Sequence, residues 1–140
     1  MFRLESSEYW VFEKIVPEKV CDAIMDFGDA LPLQQGVVFE GLKPEVRDSS
    51  ISWIEPNSWI TGLCNHYINI SNAEAGWNVN LSYTSAPQYT VYEEGMFYEF
   101  HTDSEDPSQR GEDGTQRKLS LSMQLNDPSE YEGGELRFQH

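Results

Sequence analysis

Leu119, Leu121, Met123 and Leu125 alternate with Ser120, Ser122 and Gln124 late in the chain, and no other stretch constrains the fold as strongly. Successive side chains of a strand point to opposite faces, so a period of two specifies a strand with one apolar and one polar side. Three further runs of strand length, "WNVNLSYT", "QYTVYE" and "GELRF", lie in the same part of the sequence. Loops containing Pro87, Gly95, the polar "DPSQRGEDGTQ" and "NDPSEYEGG" separate them. The pattern predicts a mainly antiparallel sheet assembly over residues 77–140.

The preceding residues read differently. "PEKVCDAIMDFGDAL" opens with Pro17, which a first helical turn tolerates, and sets Val20, Ile24 and Phe27 at helical spacing, so a helix is expected to end near Gly28. "SSISWIEP" predicts a short strand with Ile51 and Trp53 on one face, closed by Pro56. "NSWITGLCNHYINISNAEAG" predicts a second helix, with Trp59, Leu63, Tyr67 and Ile70 three or four apart and Gly76 as its stop. The fold class is therefore α+β, with 1–76 as a helical support region.

The chain has 140 residues, enough for one domain over 1–140 and too few to expect two. Its 24 acidic against 9 basic residues give a formal charge of -15, which disfavours a phosphate backbone or an anionic membrane as partner. No stretch approaches the ~20 apolar residues of a membrane span. The opening "MFRLESSEYWVFEKIVPEK" lacks the order of a secretory signal, so a cytoplasmic location is expected. Cys21 and Cys64 are too few for a disulfide framework and are read as buried thiols.

In "YEEGMFYEFHTDSED", His101 and Asp103 stand two positions apart, so on an extended segment their side chains share a face. An imidazole and a carboxylate suit iron(II), manganese or zinc, and two histidines with one carboxylate make the facial triad of non-haem iron oxygenases. Alone, such a tripeptide is common. Its surroundings carry more: "QYTVYEEGMFYEFHTD" holds a Y-x-x-G-x-x-Y-x-x-H-x-D arrangement, and "RKLSLSMQLNDPSEYEGGELRF" follows it. On these motifs the sequence resembles the iron(II)- and 2-oxoglutarate-dependent dioxygenases, within them the prolyl 4-hydroxylase-like group that includes the PKHD-type hydroxylases. The motifs cover about residues 77–138, and "RDSSISWI" with the helix after it is similar to the group's upstream part.

The resemblance implies that His101 and Asp103 bind iron(II). It puts the Tyr92 hydroxyl near the far carboxylate of 2-oxoglutarate and makes Tyr98 a residue of the active-site cavity; ordinary strand packing is the alternative for both tyrosines. Gly95 would permit a tight turn where a side chain would be in the way. Gly133 and Gly134 are read as shaping a turn without chemistry. The implied fold is a double-stranded β-helix, a jelly roll whose first part would be 77–140. The implied reaction uses dioxygen and 2-oxoglutarate, with ascorbate as an optional addition, to hydroxylate a C–H bond of a small-molecule or peptide substrate while releasing succinate.

Two parts of the family's pattern have no match. A second histidine ligand should follow several further strands, whereas His66 lies in the upstream helix and His140 comes only shortly after "GGEL". The basic anchor for 2-oxoglutarate should come later still, and Arg117, Lys118 and Arg137 match other positions. The chain is accordingly read either as a fragment of a longer hydroxylase, the favoured reading, or as a degenerate domain. Two other functions stay open: a non-catalytic jelly-roll module that binds a metal or ligand, with "HTDSEDPS" as a calcium-type loop, and a structural jelly roll with Trp53, Trp59 and Trp77 in its core.

Overall fold

The computed structural model describes residues 7–38, 41–103 and 114–139. Helix α1 spans Glu18–Asp29, with Pro17 as its N-cap, where the missing N–H is not needed and the carbonyl accepts from Val20 and Cys21. Cys21, Ile24 and Gly28 are its buried positions, while Phe27 remains 37% exposed. The helix ends at Asp29, one residue past Gly28, close to the expected stop. A Cβ at Gly28 would sit 2.5 Å from three carbons of the Tyr89 ring, so the residue is needed for close approach. Helix α2 spans Trp59–Glu74; Ser58 caps it by accepting from the Ile60 N–H, and Gly76, with φ +70°, takes the chain away beyond its end.

The strands are β1 (Gln34–Gln35), β2 (Arg47–Asp48), β3 (Ser50–Trp53), β4 (Gln88–Val91) and β5 (Phe97–Tyr98). They form two antiparallel sheets, β1-β3-β4 and β2-β5. In the first, Ser50 to Trp53 pair with Val91 to Gln88, so the sheet joins the expected support region to the segment beyond residue 77. Ile24, Ile54, Ile60 and Tyr89 make the core, with Val20, Leu63, Cys64, Met123 and Leu125 packed around it. Each such aliphatic side chain contributes roughly 1.5–3 kcal/mol on full burial. Buried hydroxyls are satisfied locally: Ser52 Oγ donates to the Pro32 carbonyl and Thr61 Oγ1 to the Glu55 carbonyl, both at 2.9 Å.

Several expectations are corrected. Trp53 and Trp59 are 50% and 52% exposed, and Ile54 and Ile60 take the buried places beside them, so neither tryptophan belongs to the core. The runs 77–84, 118–125 and 134–138 form no ladder among the described residues. Burial nevertheless alternates in the first two: Trp77, Val79 and Leu81 are half-buried between exposed Asn78, Asn80 and Ser82, as Leu119 to Leu125 are between Ser120, Ser122 and Gln124. A side chain stands in for the first run's missing partner. The Asn72 amide donates to the Val79 carbonyl and accepts from the Val79 N–H, each at 2.9 Å. The described residues thus give an α+β fold with two helices and small antiparallel sheets.

Candidate metal centre

The chain reaches the site from β4. Tyr92 follows that strand, and the turn after it closes with the Met96 N–H donating to the Glu93 carbonyl at 3.0 Å. Gly95 has φ +81°, which a type II turn asks of its third residue, while a Cβ there would meet nothing within 4 Å. Backbone conformation, not crowding, therefore explains this glycine. The turn delivers β5, where Tyr98 pairs with Arg47 and the Glu99 N–H donates to the Val46 carbonyl at 2.9 Å. His101 and Asp103 come directly after.

The two side chains meet: His101 Nε2 lies 3.1 Å from Asp103 Oδ1. The other ring nitrogen, Nδ1, is 2.8 Å from the Glu99 carbonyl oxygen. A carbonyl can only accept, so Nδ1 carries the hydrogen of that contact, and Nε2 is the nitrogen that faces the carboxylate. A carboxylate at that distance from Nε2 calls for something positive between them, a second ring proton or a cation. A second proton on the ring would give an exposed ion pair of little worth. A divalent ion satisfies both: ligands about 2.1 Å from one ion and at right angles to each other stand about 3.0 Å apart. The donor pair fits two adjacent positions of such an ion, and a backbone carbonyl on the remote imidazole nitrogen is the usual support of a metal-bound histidine.

This pair is open to solvent, with the side chains 36% and 51% exposed, and does not lie in the enclosed hollow that a jelly roll implies. Among the described residues, no group of three or more His, Cys, Asp or Glu side chains is placed to share an ion. His66 is exposed on α2, where it lines a groove of about 530 Å³ with Asn65, Asn69 and Glu74, whose lining does not include His101. His140 and residues 104–113, with most of the candidate calcium loop, lie outside the described residues. Leu136 and Phe138, shortly before His140 in the sequence, are 67% and 63% exposed. Gly133 and Gly134 both have positive φ, +72° and +70°, as a tight turn demands.

Tyr98 stacks on the His101 ring. Tyr92 stands close by: burial pushes its phenol up, while the Arg47 guanidinium and the Ser49 hydroxyl pull it the other way. Arg47 is the cation that sequence reasoning missed here. Its one signal was its place at the head of "RDSSISWI". Of the cations weighed instead, Arg117 and Lys118 are exposed and Arg137 pairs with Glu135 at 3.3 Å.

Residues 87–140 match the family described as the 2OG-Fe(II) oxygenase superfamily, a stretch that contains Tyr92, Tyr98, His101 and Asp103. No curated protein and no solved structure gives a significant match to the chain. The family match supports a dioxygenase that uses iron(II) and 2-oxoglutarate. Among the described residues no helix is long and apolar enough to cross a membrane.

Proposed function

We propose that this chain carries the iron-binding part of an iron(II)- and 2-oxoglutarate-dependent hydroxylase of the prolyl 4-hydroxylase-like, PKHD-type group. The observation that carries this reading is the separation of His101 Nε2 and Asp103 Oδ1, 3.1 Å, within the segment that matches the oxygenase family. His101 and Asp103 would hold the ion, and the Glu99 carbonyl, by fixing the hydrogen on Nδ1, would keep Nε2 available to it. Tyr92, protonated at neutral pH, would donate its hydroxyl hydrogen to the co-substrate's far carboxylate, and Tyr98 would form part of the wall beside the imidazole. When bound, iron(II) with 2-oxoglutarate and dioxygen supplies the oxidising chemistry that couples release of succinate to hydroxylation of a C–H bond. The substrate would be a small molecule or a peptide, prolyl or another amino acid, and the charge of -15 argues against nucleic acid. The free thiols of Cys21 and Cys64 suit a cytoplasmic setting.

The exposure of the pair supports a further part of the reading, that these 140 residues are a catalytically incomplete piece of the enzyme. Oxidative chemistry needs water excluded, and side chains 36% and 51% exposed do not exclude it. The same exposure favours the second reading, a module that binds a metal without turnover. The test is twofold. Mn(II) should bind to the purified chain and bind at least ~10-fold more weakly to Asp103→Ala. Succinate formation with iron(II), ascorbate and 2-oxoglutarate should stay near background. Absence of Mn(II) binding sinks the metal centre, and turnover near the ~1 s⁻¹ of ordinary enzymes sinks the incompleteness.

A further inference from the structure

We infer that Arg47 is a positioning residue for the His101 imidazole, acting through Tyr98; the inference rests on the reading of His101 and Asp103 as metal ligands. The three groups form one stack. Tyr98 and His101 have ring centroids 3.6 Å apart and planes within 11°. The guanidinium carbon of Arg47 lies 4.5 Å from the Tyr98 centroid. A nearly parallel imidazole at that distance fills one face of the phenol ring, so the guanidinium stands over the other.

The sheet register brings these groups together. Arg47 and Tyr98 are direct partners across β2 and β5, and the Glu99 N–H extends the pairing to the Val46 carbonyl. That places the Glu99 carbonyl where the His101 Nδ1–H donates to it. The imidazole then has two restraints of different kinds. The hydrogen bond directs Nε2 within the ring plane, and the stack sets the tilt of that plane.

Arg47 makes the second restraint firm because it is tied to the scaffold while His101 is not. The arginine is 7% exposed. Its Nε donates to Ser49 Oγ at 2.9 Å, Nη1 to the Val37 carbonyl at 3.0 Å and Nη2 to Gln88 Oε1 at 2.6 Å. Gly36 leaves room for this arrangement, since a Cβ there would lie 2.3 Å from Ser49 Oγ and 2.7 Å from Arg47 Nε. A planar cation attracts a ring face, and stacked rings attract each other, so orientation passes from a fixed guanidinium through Tyr98 to an exposed imidazole. A ligand set holds its ion well only when the groups behind it are themselves locked.

The test reads Mn(II) affinity together with the ring-proton NMR signals of His101 in the metal-free protein. A ring stacked on a phenol face shows upfield-shifted protons, so the wild-type signals should lie upfield of ordinary histidine positions. Arg47→Met keeps a stem of similar length and loses the planar cation. It should return the signals toward ordinary positions and weaken Mn(II) binding on the order of tenfold, with Arg47→Lys recovering part of the affinity. If Arg47→Met does not fold by circular dichroism, Arg47→Lys decides, because it keeps the charge and the Tyr98 ring but loses the planar fork that three hydrogen bonds fix; the same two losses, smaller in size, are expected. Unchanged His101 signals and unchanged affinity in a folded variant overturn the inference. His101→Ala separates it from the reading beneath: wild-type Mn(II) binding in that variant defeats the metal-ligand assignment, whereas loss of the ion there and its retention in Arg47→Met defeats the positioning role alone.

Discussion

Ile60, in the first turn of α2, is 2% exposed, and Leu136, just past the Gly133–Gly134 turn, is 67% exposed. The two side chains have the same volume and the same preference for an apolar surrounding, so their difference belongs to the regions that hold them. Around Ile60, two helices and the β1-β3-β4 sheet converge on one core. From Tyr92 onward the described ladder is limited to β5, and residues 134–139 are all exposed. The chemistry-bearing motifs lie in that second region. Arg47, beside the candidate metal pair, donates to Ser49 Oγ and to Gln88 Oε1, the latter on β4 of the better-packed part.

The sharpest way to break this comparison is to make the same change in both regions. Ile60→Ala should destabilise by about 2–5 kcal/mol, as deletions in a packed core do. Leu136→Ala should stay within about 0.5 kcal/mol. Urea denaturation measures both, and equal shifts in midpoint would mean that the two regions are packed alike.

A pH series sharpens the account of the core. Tyr89 donates its phenol hydrogen to Asp29 Oδ1 at 2.8 Å, and burial first, then that hydrogen bond, push its pKa up to about 12. An unfolded tyrosine releases its proton near pH ~10. Between those values the folded chain keeps a proton that the unfolded chain has lost. The associated stability is therefore fully present below pH ~10 and is lost as the pH rises toward 12, by an amount on the order of 2 kcal/mol. Unfolding free energies measured across that window should fall in the wild type and fall less in Tyr89→Phe. A smaller effect is expected at the helix cap: Ser58→Ala removes the acceptor of the Ile60 N–H and should cost about 1 kcal/mol, read as a lower thermal midpoint.

Part of the fold was legible because its signals are local. The spacing in α2 and the glycine beyond it act within a few residues, and the helix forms from Trp59 to Glu74. The strands at Ser50–Trp53 and Gln88–Val91 were also found from short apolar runs. Two-residue strands such as β2 and β5 are too short to show a period. Gly95 was read as present for space, whereas its φ of +81° is what the turn requires, since a sequence does not reveal which of the two a glycine serves. The conjunction of His101 and Asp103 could be expected from their spacing, but the contributions of Arg47 and Glu99 could not. Arg47 reaches the site only through strand register, across about fifty intervening residues, and Glu99 enters through its backbone carbonyl, which every residue possesses.

Alternation along 77–82 and 119–125 determined by itself which side chains turn away from water, since the period of two is a property of the extended backbone. Whether those runs acquired strand partners was decided by tertiary structure alone, because a ladder depends on another segment arriving alongside, and local geometry has no hold on that. The same division applies at the candidate metal centre. Residue types and spacing named the two donors, whereas their separation, their exposure and the stack behind the imidazole followed from how β2 and β5 came together.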